Sequence, residues 1–413
     1  MIYQADAALT FSVLILLITF LILQPLLGNS VYASSSSSPQ IAESSLASCV
    51  SYDPEESMIT ITCQSANLSD IYTVIGDQNV LLKEDNVDVD TISGNFDGDN
   101  DTVWQLNAGI TVAQNATLYI NSTDTTWLKI LADGEETAHP ILVSGSLKID
   151  SAKVTSWNPN TNNYTTSQDS DRNGQDVSIG TPRPYIVVED DATGTTDITN
   201  SEIAYLGYEA GYGAGRTGLR YEAGDGSIIR GNEIRNLYFG LYTRGVGEMT
   251  IENNHIYDNI HYGLDPHTGT HDMIIRNNTV HDNGSTGVIC SLDCYNIAIE
   301  NNNIYNNTKN GIMFSRNMYD SIATNNIVSN EDNGIVISES HDNEVYNNIV
   351  SDSGAGIDID EDSFDNTVYN NTMINIPEPT EALNLRDGAS EKNTLYSNVL
   401  INEGGQEISL DSN

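Results

Sequence analysis

Beyond residue 181 the apolar and polar positions of the chain fall into a repeating frame. Glycines at 218, 240, 263, 287, 311, 334 and 356 stand 22, 23, 24, 24, 23 and 22 residues apart. Each precedes an aliphatic residue: Leu219, Leu241, Leu264, Val288, Ile312, Ile335 and Ile357. Between successive glycines runs a second apolar stretch, such as Met273-Ile-Ile or Ile297-Ala-Ile, then Asn-Asn, then another apolar position (Ile256, Val280, Ile304, Ile327, Ile349). Short apolar runs bounded by Gly and Asn read as strands, and a fixed period of this length marks one supersecondary unit stacked many times. Each period holds three short strands and three turns. The pattern predicts an all-β chain, a right-handed parallel β-helix whose coils of about 22–24 residues enclose a column of aliphatic side chains. So much Asn and Gly excludes a helical solenoid of the same period. The pairs Asn277/Asn278, Asn301/Asn302, Asn325/Asn326, Asn347/Asn348 and Asn370/Asn371 are expected to superimpose as amide ladders.

Upstream the pattern is less regular. Residues 49 to about 95 alternate apolar and polar (Ile59, Ile61; Ile71, Thr73, Ile75; Val80, Leu82) and read as short strands. From Thr102 to Ile149 strand-like runs recur without a clean period, and Asn158 to Gly180 is a polar insertion. The expected organisation is therefore a β-helix over 102–413, a small β-rich N-terminal segment over 49–101, and a Ser-rich linker over 34–48. Residues 7 to 23 are almost unbroken apolar, and Val31-Tyr32-Ala33 offers a cleavage site, so 1–33 reads as a signal peptide. Met1 to Asp6 carry no Lys or Arg, which keeps an uncleaved anchor as the alternative. Either reading places the body outside the cytoplasm: secreted, periplasmic or at the cell surface.

Charge narrows the partners. Lys and Arg number 16 against 58 Asp and Glu, a formal charge of −42, which excludes nucleic acid and limits membrane contact to an uncleaved N-terminal segment. Residues 216 to 276 depart from this: 6 basic and 8 acidic residues give −2, leaving −40 for the rest. Four cysteines fit export, with Cys49–Cys63 and Cys290–Cys294 as disulfide candidates or buried thiols. No Cys/His spacing matches a zinc site, so no metal ligands are assigned. Phe96-Asp97-Gly98-Asp99-Asn100-Asp101 and the run Asp358, Asp360, Glu361, Asp362 offer calcium ligands, but solvated acidic turns are the plainer reading of both. Sequons for N-glycosylation begin at Asn67, Asn115, Asn121, Asn163, Asn277, Asn283, Asn306 and Asn370.

Five of the seven histidines, His255, His261, His267, His271 and His281, fall within 27 residues. Registering the coils on their glycines sets equivalent residues side by side, about 4.8 Å apart per rung. With Leu264 and Pro266 inward, alternation turns Asp265 and His267 outward. Tyr242 and Arg244 stand above them, and Arg220 and Glu222 one coil higher; Ile289 and Ser291, then Met313 and Ser315, lie below. The charged patch is thus confined to three coils. The near-neutral zone of residues 216 to 276, with its six arginines, suits a polyanionic ligand. His255, His261 and His281 read as surface residues of turns.

These coils resemble the alginate (poly-mannuronate) C5-epimerases of the periplasmic type, over roughly residues 181 to 360. The match is strongest in Ala204-Tyr-Leu-Gly-Tyr-Glu-Ala, Tyr238-Phe-Gly-Leu-Tyr and Asp258-Asn-Ile-His-Tyr-Gly-Leu-Asp-Pro-His267. The resemblance implies a β-helix whose groove binds a uronan chain, with His267, Asp265 and Tyr262 in the family's active-site motif. It also implies a basic residue reaching the substrate carboxylate from a neighbouring coil, but the matching positions here are Leu237 and Leu292.

The residues support the same chemistry. The C5 proton of a uronate is acidic enough to leave only when the adjacent carboxylate is neutralised, after which a base removes it and an acid returns one to the other face. Arg244 is assigned as the neutralising cation. His267 and Tyr262 are the proton-transfer pair with their order open, and Asp265 orients His267 or hydrogen-bonds the carboxylate. Arg220, Glu222, Tyr242 and His271 are assigned to substrate binding. No cofactor is required by this chemistry. The reading is an exported mannuronan C5-epimerase; the alternatives are a polyuronate lyase acting by β-elimination from the same carbanion, and a non-catalytic β-helix that binds glycans.

Overall fold

The computed structural model describes residues 46–85, 101–134, 138–166, 181–210, 216–377, 379–389, 392–401 and 407–409. The N-terminal apolar run, all but the end of the Ser-rich linker, residues 96–100 of the first acidic turn, and residues 167–180 of the polar insertion lie outside the described residues.

Short strands alternate with tight turns around a closed coil, and each strand pairs with its equivalent one coil on. The described residues build three long sheets of 13, 11 and 14 strands, parallel except at the ends. This is the right-handed parallel β-helix that the period predicts. Leu241 pairs with Leu264, Leu264 with Val288, and Val288 with Ile312, all fully buried. Ile229, Ile251, Ile275 and Ile299 form the matching inner column of the second sheet, and Ile234, Ile256, Val280 and Ile304 that of the third. The phasing glycines are required by close approach: a Cβ on Gly263 would lie 2.5 Å from the Gly287 carbonyl oxygen.

The Asn-Asn pairs divide their labour. The first member of each (Asn277, Asn301, Asn325, Asn347, Asn370) adopts φ between 54° and 57°, a left-handed turn conformation that Asn tolerates. Only the second member builds a ladder: Asn254, Asn278, Asn302, Asn326, Asn348 and Asn371, extended by Asn232 at one end and Asn398 at the other, are joined each to the next by a side-chain amide bond of 3.0 Å. The expectation of paired ladders is corrected accordingly. A second buried ladder, Asn259–Asn283–Asn307, ends on Glu331. Asn283 is therefore withdrawn from the glycosylation candidates, since its amide donates to Asn307 at 2.8 Å inside the coil.

At the N-terminal end the hairpin Val50–Asp53/Met58–Ile61, tied by Cys49–Cys63, joins the first sheet through Met58–Ile61. The stretch read as a strand around Ile71, Thr73 and Ile75 is instead the helix Leu68–Ile75. Asn67 and Asp70 form a capping box, Gly76 closes the helix at φ 62°, and Leu68 and Ile71 supply the buried face. Those local signals outweigh three alternating residues. Cys290 and Cys294 are free buried thiols, which corrects the pairing expected of them. The Cys294 thiol turns to the Ser291 carbonyl at 3.2 Å.

Candidate active site

The site sits on the first sheet, where the strand Leu264–His267 lies between Phe239–Arg244 and Val288–Ser291. Tyr242 pairs with Asp265, Arg244 with His267, Arg220 with Tyr242, and His267 with Ser291. The coil register read from the glycines is thus the one the chain adopts from Arg220 onward. Below the strand the ladder pairs only Leu264 and His267, skipping Asp265 and Pro266, the second of which has no N–H to give.

The two outward residues differ in exposure. Asp265 is only 3% exposed, between Tyr242 above and Ile289 below, so the expectation that it faces solvent is corrected. Its Oδ1 has no hydrogen-bond partner among the described residues. Burial pushes its carboxyl well above the usual range, against a lowering pull from Arg316. Burial thus favours its protonated form, the form that donates a hydrogen bond.

His267 is half-buried and is drawn the other way. Burial, followed by the guanidinium groups of Arg316, Arg220 and Arg244, lowers its pKa to about 4. Its Nε2 lies 3.2 Å from Arg316 Nη2, and its Nδ1 2.5 Å from Thr268 Oγ1. Arginine only donates, so Nε2 accepts and the ring proton sits on Nδ1, facing Thr268. The imidazole is neutral and presents a basic Nε2.

Arg316 is the residue that sequence reasoning missed. It follows Ser315 in the turn, two coils below His267, at φ 53°. Its Nε donates to Ser291 Oγ at 2.8 Å, and the guanidinium reaches past that rung to the imidazole. Backbone bonds set Thr268, Leu292 and Arg316 in one column of turn positions: Thr268 N–H donates to the Ser291 carbonyl, and Leu292 N–H to the Ser315 carbonyl. A basic residue, Arg316, thus stands in the Leu292 column one coil further on, and a search over two coils would have exposed it. Leu237 is fully buried in the core.

The other assigned residues divide. Arg244 is exposed beside His267 and has no ion-pair partner among the described residues. Arg220 is paired with Glu222, and its guanidinium lies 4.7 Å over the Tyr242 ring, which stands 5.5 Å from His267. Tyr262 is half-buried against Phe239, ring centroids 5.1 Å apart. Burial and the nearby Asp265 raise its phenol above the usual value, so it is protonated at neutral pH. His271 does not join the group. Its Nδ1 bonds Asp272 at 2.8 Å and its ring stacks on Tyr295 at 4.9 Å, in the next turn.

The acidic run at the far end of the sheet carries its own countercharge. Arg386 bonds both Asp358 and Asp360, and Glu361 accepts from Ser338 at 2.8 Å. Among the described residues no group of three or more His, Cys, Asp or Glu is placed to hold a metal ion.

Set against solved structures, this coil stack has clear counterparts. The fold resembles that of the periplasmic alginate epimerase AlgG. That structure matches with a TM-score of 0.66 at 19% identity, over 83% of this chain and 85% of that one. A double mutant of AlgG gives 0.66 at 20% identity over the same shares. The A-module of mannuronan C-5 epimerase AlgE4 from Azotobacter vinelandii gives 0.49 at 14% identity, over 72% of this chain and 84% of that one. At these identities the AlgG likeness is one of fold. Residues 196–382 match the family model described as periplasmic copper-binding protein (NosD). No curated protein sequence matches the chain.

Proposed function

We propose that the chain is an exported enzyme that modifies polyuronate, a mannuronan C5-epimerase. The observation that carries this reading is the convergence on one strand of a neutral imidazole, a guanidinium that reaches it from two coils below, and a buried carboxyl whose protonated form burial favours. The AlgG fold and the Tyr262-Gly-Leu-Asp-Pro-His267 motif support it.

The chemistry follows from the protonation states. An incoming uronate carboxylate draws Arg316 away from His267 and accepts a hydrogen bond from Asp265, which spreads the charge that develops when C5 loses its proton. Fixed donors of this kind contribute about 10²–10³ in rate. Releasing Arg316 frees Nε2 of His267 to take the proton, a general-base contribution of about 10²–10⁴. Tyr262, held protonated, returns a proton to the opposite face. This assigns His267 as base and Tyr262 as acid, the order that sequence left open. Arg244, exposed at the rim, attracts the polyanion, and Arg220 with Glu222 fixes Tyr242 against the imidazole. No metal takes part in any of these steps. Export is carried by the apolar run at residues 7 to 23; none of the described helices is long and apolar enough to cross a membrane.

The test is a proton NMR comparison of poly-mannuronate before and after incubation. Guluronate signals are the expected result. Unsaturated uronate in their place would establish a lyase. An unchanged polymer, bound equally well by His267→Ala, would leave a glycan-binding β-helix without catalysis.

A further inference from the structure

Two imidazoles meet on the third sheet, on strands that contribute nothing to the groove. His255 lies on His255–Tyr257 and His281 on Thr279–His281, not in turns as the sequence suggested. Tyr257 pairs with His281, so His255 stands diagonally across one rung. The two Nε2 atoms are 2.6 Å apart.

At that separation the nitrogens must share a proton, and the surroundings say whose it is. His281 Nδ1 lies 2.6 Å from Asp282 Oδ2, a carboxylate that only accepts. The proton of His281 is therefore on Nδ1, and its Nε2 lone pair points at His255. The ring cannot swing away easily, since Tyr257 and Tyr305 stack on its two sides at 5.2 and 4.6 Å, within 5° and 2° of parallel. His255 rests on the Tyr257 ring at 4.4 Å and borders an open depression of about 380 Å³ lined by Glu233, Asn277 and Thr279.

A carboxylate that fixes an imidazole through Nδ1 and leaves Nε2 bare is the arrangement found behind metal-ligating histidines. Here it is held rigid by two flanking rings and faces a second imidazole. We propose that His255 and His281 together bind a first-row divalent cation that favours imidazole, Zn²⁺ or Cu²⁺, with water from the adjoining depression completing its coordination. Binding needs the His255 proton to move from Nε2 to Nδ1, with none released. It also needs a small ring rotation that opens the nitrogens to about 3.3 Å, the spacing of two ligands each about 2.0 Å from a tetrahedral ion. Asp282 holds the acceptor state of His281 in both forms. Sequence reading passed over the pair because its members sit 26 residues apart on the diagonal of two coils.

Other histidines supply the control. His271 and His341 each bond a neighbouring aspartate through Nδ1 at 2.8 Å, but neither faces a second imidazole. The full chain, free of any polyhistidine tag, is titrated calorimetrically with Zn²⁺ and separately with Cu²⁺ at pH 7.5. One saturable equivalent is expected for at least one ion. Affinity should fall at least tenfold in His255→Ala and in His281→Ala, fall about 10–100-fold in Asp282→Asn, and stay unchanged in His271→Ala and His341→Ala. Cu²⁺ should show coupling to two nitrogens by electron paramagnetic resonance. His255 is exposed, so its variant is the one least exposed to a folding failure, and thermal melting confirms that it is folded. Absence of binding, binding that survives both histidine variants, or equal loss in His271→Ala overturns the proposal. Polyuronate conversion is expected to be the same in His255→Ala, His281→Ala and Asp282→Asn, so the outcome here is separate from that of the epimerase reading.

Discussion

The three coils that end at His267 and the three that follow it share one aliphatic inner column and differ most outside. Inward, Leu241, Leu264, Val288, Ile312 and Ile335 continue without a break. Outward, one column runs Arg220, Tyr242, Asp265 and then Ile289, Met313, Val336; the other runs Glu222, Arg244, His267 and then Ser291, Ser315, Ser338. The backbone can carry either set because alternate residues of a strand face opposite ways, so outer columns are free to change while inner ones hold the coil. The two halves are still coupled at one point, where Arg316 rises from the plain half to complete the charged one.

The largest effect expected within this comparison is at His267. His267→Ala should lower kcat by about 10²–10⁴ with little change in KM, read by the rate of guluronate formation. Arg316→Ala comes next, at about 10²–10³ in kcat; Arg316→Lys should recover part of it, since an ammonium keeps the charge but not the fork. Equal loss from Ser338→Ala, in the plain half, would erase the distinction between the halves.

The pH profile sharpens the same point. With the imidazole of the free protein held down to about 4, kcat/KM should stay level on acidification until pH approaches that value, then fall as Nε2 is protonated. Arg316→Ala removes the largest charge behind the shift, so its acid limb should move to higher pH. Arg244→Ala should cost less, under about tenfold and mostly in KM, and the difference should vanish in high salt, as for any exposed charge.

The smallest expected effect is one of stability, in the ladder of the plain half. Burial raises the Glu331 carboxyl to about 8, and its Oε2 has no partner among the described residues. A folded-state pKa above the unfolded one means the native state binds more protons across that window, so stability falls as pH rises from about 4.3 toward 8. Glu331→Gln removes the dependence. Its melting temperature should exceed the parent's at pH 8.5 and match it near pH 4.

Much of this was legible in the sequence, for a physical reason. A solenoid repeats one unit, so glycine spacing alone gives the register, and with it the neighbours Tyr242/Asp265 and Arg244/His267. What escaped depended on side-chain reach or burial instead of period. Arg316 spans two rungs, and His255 meets His281 on a diagonal; neither relation lies at the same offset in successive coils. The concealment of Asp265 depends on the bulk of its neighbours, which alternation does not report. The helix Leu68–Ile75 had its capping signals in view at Asn67, Asp70 and Gly76, but the alternation of Ile71, Thr73 and Ile75 imitated a strand. Cys290 and Cys294, four residues apart, suited a bridge by spacing, while the structure gives the second thiol a carbonyl partner.

Solvent exchange at C5 tests the central claim most directly. Poly-mannuronate is incubated in deuterated water with the parent protein and with His267→Ala, and deuterium at C5 is read by NMR. Deuterium is expected at C5 of every newly formed guluronate residue with the parent, and none above background with the variant. No C5 deuterium with the parent, or the same amount with His267→Ala, would contradict it.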